Sequence, residues 1–372
     1  MKILELCLSP DFGGLEIHMR DFTAWLARRA DCAPCAAVQE NTRLHRALAA
    51  LNVPLLTFPA KAGKFPLAKA RLLAKFIEAQ AVDIVHAHWK YDLPLTALAK
   101  RFSKRPFRLF HTRQMSLPGK KFDPYHRFVY GALDGFIAIT QYIARQAREN
   151  LPLPAERIHQ IYYGVAAPPP VDPEATAGLK RELGIGEEFV VGLLGRISEF
   201  KGQRLLLEAL HRLNREGIRL HALIVGEAFE PEYLTGLQQF VQENGLAGQV
   251  QFRDFHPRPY ELMACLDALA LTTKRETFGL VLIEAMQVGI PVIGSDAGGV
   301  PEIIDHEQTG LLFESWNAAS LAQALKRLYL DPDLRRRIAA AGKRKARENF
   351  DLEKQYQKVL QTFREPHGWG EL

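Results

Sequence analysis

Two blocks of alternating short apolar runs and amphipathic helical stretches, separated by a glycine- and proline-rich segment, predict two doubly wound α/β domains with parallel sheets. The 372 residues exceed one ordinary core, and two domains of roughly 150–180 residues are the natural division.

In the first block, strands are expected near residues 3–8, 35–38, 54–58, 83–86, 108–111, 136–139 and 158–162, with helices near 15–30 and 67–81. In the second, strands are expected near 190–194, 221–225, 250–252, 268–271 and 292–294. Beyond Leu311 the chain reads as helical to near Phe363, with breaks at Asp331-Pro332 and Phe350-Asp351. Residues 164–170, Gly-Val-Ala-Ala-Pro-Pro-Pro, have the composition of an extended linker. The expected domains are therefore 1–167 and 168–349, with a C-terminal helix over about 350–372 packing back on the first. Two such sheets facing each other leave a cleft at the carboxyl ends of their strands, where ligands bind in this architecture.

Composition narrows the class. The hydrophobic fraction of 47% and charged fraction of 24% are those of a soluble globular protein. No apolar run reaches the ~18 residues of a transmembrane helix, and the N-terminus has neither a basic leader nor a small-residue cleavage site. A cytoplasmic protein is expected, with any membrane contact peripheral on the inner face. The net charge of +6 is uneven: residues 1–167 carry 24 Lys+Arg against 13 Asp+Glu, and residues 168–372 carry 24 against 29. An anionic partner for the first half follows, a membrane surface or a phosphorylated acceptor. No nucleic-acid-binding motif accompanies the charge. Cys32 and Cys35 form a C-x-x-C pair, but it opens a strand instead of a helix, so no helix N-terminus lowers its thiol pKa.

The second block carries the chemistry. Gly195-Arg196-Ile197-Ser198-Glu199-Phe200-Lys201-Gly202 follows a strand directly, giving phosphate oxygens a guanidinium, an ammonium and outward backbone amides. Lys274-Arg275-Glu276-Thr277-Phe278-Gly279-Leu280 leads into an apolar helix that stops at Gly289-Ile290-Pro291, with Thr277 the expected N-cap. Glu276 lies in the loop, and Glu284 stands about two turns into the helix. A carboxylate among apolar residues is costly unless it meets hydroxyls or a cation, and a polyhydroxyl ligand would satisfy both glutamates. Asp296-Ala297-Gly298-Gly299-Val300-Pro301-Glu302 is a further glycine turn that lines the same place or only reverses the chain.

The order Gly13-Gly14, Gly195-Arg196…Lys201-Gly202, Glu276-x₇-Glu284 and Gly298-Gly299-Val300-Pro301-Glu302 resembles glycosyltransferase family 4, whose fold is GT-B, two Rossmann-like domains. The resemblance runs through almost the whole chain and is dense from Val190 to Phe313. It implies a retaining transferase that uses a nucleotide-sugar donor, a UDP-sugar favoured, with no metal and no cofactor, the first domain binding the acceptor and the second the donor. By the same resemblance Arg196 and Lys201 hold the diphosphate and neutralise the leaving group in place of a divalent ion. Glu276 would contact sugar hydroxyls, Glu284 the ribose, and Phe278, Gly279 and Leu280 would offer backbone contacts. Gly13 and Gly14 would let the backbone approach the diphosphate on closure. His111 would orient the sugar hydroxyl and the acceptor, and Arg253 and Asp254 would lie near the base. Tyr162-Tyr163-Gly164-Val165, Glu227-Ala228-Phe229 and Asp254 depart from the residues usual at these places.

His86 and His88 share one strand face and fit cleft lining, core packing or, given a third ligand, a metal; no third ligand has motif support. Basic residues gather in three clusters: Lys61, Lys64, Lys69, Arg71 and Lys75 with Phe65 and Phe76; Lys100, Arg101, Lys104, Arg105 and Arg108; and Arg113, Lys120 and Lys121. Interleaved with aromatics, they match docking on an anionic inner-membrane surface and a glycolipid or oligosaccharide acceptor, as in lipopolysaccharide synthesis. A sugar-nucleotide epimerase of the same fold and a non-catalytic nucleotide-sugar-binding protein are the alternatives. A dinucleotide oxidoreductase is excluded, because Pro10-Asp11-Phe12-Gly13-Gly14 supplies no Gly-x-Gly-x-x-Gly.

Overall fold

A computed structural model describes residues 1–60 and 66–365. Lys61, Lys64 and Phe65 of the first basic cluster, and the end of the helix expected over 350–372, lie outside the described residues. The chain divides into two compact units: Met1–Tyr162 joined by the segment that begins at Tyr356, and Tyr163–Gln355.

Unit 1 is built on β1 (Lys2–Cys7), β2 (Ala33–Gln39), β3 (Leu55–Phe58), β4 (Ile84–Ala87), β5 (Arg108–Arg113), β6 (Gly135–Ala138) and β7 (Ile158–Gln160), in the order β3-β2-β1-β4-β5-β6-β7 with parallel pairing. Helices cover both faces, so the central strands are buried on both sides. Leu4 and Leu6 join a cluster with Leu73 and Val85, while Cys7 packs with Met19 and Val38. The last helix, Leu352–Arg364, closes this core with Tyr356 against Phe22 at 4.9 Å and Phe363 against Phe110 at 4.8 Å. Burying Phe363 fully contributes roughly 1.5–3 kcal/mol.

Unit 2 repeats the plan with β8 (Val190–Leu194), β9 (His221–Val225), β10 (Val250–Arg253), β11 (Ala268–Leu271), β12 (Val292–Ser295) and β13 (Leu311–Phe313), in the parallel order β10-β9-β8-β11-β12-β13. In each unit the strand order reverses once, between β1 and β4 and between β8 and β11. The loops that leave these strands run in opposite directions, which opens a crevice at their carboxyl ends.

Two elements differ from expectation. Residues 311–313 form an edge strand on β12 where helix was expected, because a Leu-Leu-Phe run is too short to carry a period and its pairing is set by the sheet. The glycine of the expected linker is packed: a Cβ on Gly164 would stand 2.4 Å from Leu352 Cα, and Val165 N donates to Phe350 O at 2.8 Å.

Candidate active site

In unit 2, the residues singled out by sequence collect in the loops after β8 and β11, on either side of the reversal. After β8, Gly195 adopts φ +141 and Gly202 adopts φ +72; a Cβ on Gly202 would meet Thr272 O at 2.4 Å. Glycine is required there, and it brings the two loops into contact: Thr272 Oγ1 donates to Lys201 O at 2.8 Å. The Arg196 guanidinium lies exposed, 4.1 Å above the Phe229 ring. Phe229 is held there by a short parallel bridge in which Ile197 N donates to Glu227 O at 2.9 Å and Phe229 N to Ile197 O at 3.1 Å. Sequence reasoning noted Glu227-Ala228-Phe229 only as a departure; its pairing with the Arg196 loop depends on β8 and β9 being neighbours.

After β11, Lys201 Nζ contacts Glu276 Oε2 at 2.8 Å, and Thr277 N donates to Glu276 Oε1 at 3.2 Å. Thr277 is not the N-cap. The helix is Leu280–Val288, capped by Gly279 at φ +106 and ended by Gly289 at φ +99. Left-handed backbone at Gly279 turns the first-turn amides of that helix outward, which a threonine at this position cannot do without strain. The Phe278 side chain is buried against Phe350 at 5.8 Å, so only its backbone remains for a ligand. The Gly298-Gly299 turn does more than reverse the chain. Gly299 N donates to Glu276 O at 2.9 Å, and a Cβ on Gly298, at φ +69, would stand 2.0 Å from that oxygen.

Glu284 lies one helical face further in. Among the described residues its carboxylate has no hydrogen-bond or ion-pair partner, and burial raises its pKa above the ordinary carboxyl value. Such a group accepts hydroxyl donors readily. Arg253 and Asp254 lie exposed at the end of β10, beside Phe255, which is 75% exposed.

In unit 1, Gly13 precedes the helix Gly14–Ala27, and its N–H donates to Glu16 Oε2 at 2.8 Å. Neither glycine has positive φ, and a Cβ on Gly14 would meet nothing within 4 Å, so their backbone is open but not constrained to glycine. A cavity of about 410 Å³ adjoins this turn, lined by Phe12, Gln39, Asn41, Arg43 and Arg46 among others. His111 does not end its strand, which continues to Arg113. Its Nδ1 donates to Ala87 O at 2.9 Å, which leaves Nε2 as a bare acceptor, buried and without a partner. Burial, then the charge of Arg113, pushes its pKa down to about 3, so the ring is neutral.

His86 and His88 are fully buried under the helices Gly14–Ala27 and Leu352–Arg364 and line no surface. The missing third ligand exists: Glu5 of β1, opposite His86 in register. His86 Nδ1 donates to Glu5 Oε2 at 3.0 Å and His88 Nε2 to the same oxygen at 2.5 Å, while His86 Nε2 is 2.7 Å from Thr112 Oγ1. These are hydrogen-bond separations, shorter than the roughly 3.3 Å between ligands around a tetrahedral zinc with ~2.0 Å bonds. The His88 Nδ1 that a metal-bound ring would use to donate has no partner. The cluster therefore reads as a buried polar network within the core, with His88 Nδ1 its one open end among these three side chains.

Part of the basic clustering is paired within the fold. Lys100 pairs with Asp134 at 2.5 Å and Arg105 with Asp83 at 2.6 Å, and Arg108 donates to Phe363 O and Glu365 O. Arg113 is buried. Arg71, Lys75, Arg101, Lys104 and Lys120 are exposed and Lys121 is half-buried, the last two in sequence among Arg127 and exposed Met115, Phe122, Tyr125 and Phe128. Burial pushes the Cys35 thiol up to about 12, which removes the nucleophile a redox pair needs.

Comparison with known proteins agrees with this geometry. Residues 12–167 match the model of Glycosyltransferase Family 4, and residues 178–345 that of Glycosyl transferases group 1. The crystal structure of Anabaena HepE in complex with UDP superposes with a TM-score of 0.87 at 25% identity, covering 98% of this chain and 100% of that one. HepE with UDP and glucose gives 0.82 at 26%, over 98% and 99%. N-acetyl-alpha-D-glucosaminyl L-malate synthase of Bacillus anthracis is 28% identical over 78% of this chain and 76% of its own length. The lipopolysaccharide core biosynthesis glycosyltransferase LpsD of Rhizobium meliloti is 29% identical over 61% and 62%. With both units matched, each by its own half of one architecture, the chain belongs to glycosyltransferase family 4 and is a GT-B glycosyltransferase.

Proposed function

We propose that the protein is a retaining, metal-independent hexosyltransferase that moves a sugar from a UDP-sugar to a glycolipid or oligosaccharide acceptor in cell-envelope glycan synthesis. One observation carries this reading: Lys201, from the loop after β8 that also carries Arg196, meets Glu276, with a partnerless Glu284 on the adjoining helix. Two cations suit a diphosphate and two carboxylates suit hydroxyls. As the bond between the anomeric carbon and the diphosphate oxygen breaks, Arg196 and Lys201 balance the negative charge that grows on the leaving group. That is the service a divalent ion gives in other transferases. Glu276 holds sugar hydroxyls and is released from Lys201 when the phosphate arrives. His111, neutral and bare at Nε2, accepts a hydroxyl hydrogen as an orienting group.

The UDP complexes of HepE and the name of LpsD support the nucleotide and the glycan class. No described helix is long and apolar enough to cross a membrane. For docking on the inner face of the cytoplasmic membrane, the exposed Phe122, Tyr125 and Phe128 with Lys120, Lys121 and Arg127 supply apolar rings beside positive charge.

A thermal-shift screen of UDP-, GDP- and ADP-sugars tests the donor: stabilisation by a UDP-sugar is expected, and none by any of the three rejects the reading. Release of UDP on adding an acceptor separates a transferase from a binding protein. Retention of the protein by vesicles of phosphatidylglycerol at physiological salt is expected, and free passage removes the membrane part.

A further inference from the structure

The carboxyl end of β5 holds a buried cation with no carboxylate beside it. Arg113, the last residue of β5, is 5% exposed. Its Nε donates to Met115 O at 2.7 Å and its Nη2 to Ser116 O at 2.8 Å, so one edge of the guanidinium holds the loop that follows. A guanidinium carries five N–H donors. The fork made by Nη1 and the remaining Nη2 hydrogen is left, and among the described residues no Asp or Glu pairs with it. The ionisable groups that act on its charge are the phenols of Tyr130 and Tyr91.

Its neighbours are also incomplete. His111, two residues back on the same strand face, has a buried Nε2 without a partner, and the Gln114 amide has a buried Nε2 without an acceptor. A buried charge and buried polar atoms without partners each cost free energy, and native structures keep them where a ligand completes them. The position agrees, since ligands of open parallel sheets sit beyond the carboxyl ends of the strands. It agrees also with the excess of basic over acidic residues in the first 167 positions.

We propose that Arg113 binds a phosphate group carried by the acceptor. The guanidinium fork matches two phosphate oxygens side by side. The proposal rests on the reading of unit 1 as the acceptor-binding half and names the class of acceptor, a phosphorylated one.

The test uses the full-length protein saturated with UDP, so that the Arg196 and Lys201 site is filled, and titrates it calorimetrically with inorganic phosphate. Binding is expected, and Arg113→Gln should weaken it at least about tenfold, the loss of charge-assisted hydrogen bonds. Lys201→Ala should lose UDP and keep phosphate binding at Arg113. Phosphate affinity unchanged in Arg113→Gln overturns the proposal. Failure of the wild type to bind UDP would reject the donor reading instead, while the phosphate titration still reports on Arg113. If Arg113→Gln does not fold, as judged by its melt, Arg113→Lys serves: it keeps the charge without the fork. Its phosphate affinity should fall about threefold or more, and wild-type affinity overturns the idea. Vesicles of phosphatidylcholine with phosphatidic acid give the second arm. A parallel loss there in Arg113→Gln identifies a lipid-borne phosphate, and a loss confined to inorganic phosphate identifies a soluble one.

Discussion

Lys201 Nζ and Glu276 Oε2 stand 2.8 Å apart, each partly exposed, a cation and a carboxylate each occupied by the other. In the proposed function the donor parts them. Glu276→Gln frees Lys201, so UDP is expected to bind as well as or more tightly than to the wild type. Transfer should fall by about 10² or more with the loss of a group that acts in the transition state. Calorimetry and an assay of released UDP read the two separately; near-normal turnover removes Glu276 from the site. Lys201→Ala should lose both.

Glu284 gives the opposite combination. Burial raises its carboxyl pKa, so the folded state disfavours the ionised form; the penalty is present at neutral pH and relieved as pH falls through the raised value. Glu284→Gln is therefore expected to raise the melting temperature of the free protein at pH 7.5. The same change should weaken UDP about tenfold. A lower melting temperature with unchanged UDP affinity contradicts both parts.

Acid should loosen unit 1. Burial alone would raise the Glu5 carboxyl, but the charge and hydrogen bonds of His86 and His88 outweigh it and hold it down to about 2. Its stabilisation is present above the ordinary carboxyl range and lost as pH falls through that value. Burial holds His88 at about 4 and His111 at about 3, so both stay neutral in the fold while their unfolded counterparts protonate below about 6.5. Each then withdraws about 1.4 kcal/mol of stability per pH unit on acidification. Thermal melts from pH 7.5 to 5 should fall, and His111→Gln should flatten the fall. Glu5→Gln, which leaves the histidines without their acceptor charge, should cost on the order of 3–5 kcal/mol.

Two glycines make a contrasting pair. Gly298→Ala adds a Cβ 2.0 Å from Glu276 O at a positive φ, so a loss on the order of 1–3 kcal/mol is expected, with reduced transfer as Glu276 shifts. Gly236→Ala, inside the helix Pro231–Glu243 with open space around it, should stabilise by roughly 0.5–1 kcal/mol and leave transfer alone. Equal melts for the two variants would contradict the close approach.

The candidate-site loops of unit 2 were legible because their pattern is local: Arg196, Lys201 and Glu276 each lie within a few residues of a glycine that its turn requires. Strands such as β8 and β11 were read to the residue for the same reason, as apolar runs with sharp ends. What sequence missed depends on strand order. Glu5 becomes a partner of His86 only because β1 and β4 are adjacent, and 81 residues separate them. Phe229 reaches Arg196 by the adjacency of β8 and β9, and β13 exists only as an addition to β12. Charge pairing was hidden for a related reason: Lys100 and Arg105 meet their acids, Asp134 and Asp83, across 34 and 22 residues of chain.

Unit 1 is discontinuous, its first part ending at Tyr162 and its last helix arriving only after all of unit 2. During synthesis its sheet must therefore wait, with Phe22 and Phe110 uncovered, until Tyr356 and Phe363 leave the ribosome. Unit 2 is contiguous and can complete its own core in the interval. A nascent chain halted shortly before Tyr356 is thus expected to hold a finished unit 2 and a unit 1 that still recruits chaperones, so the helix that joins last decides when the protein is sound.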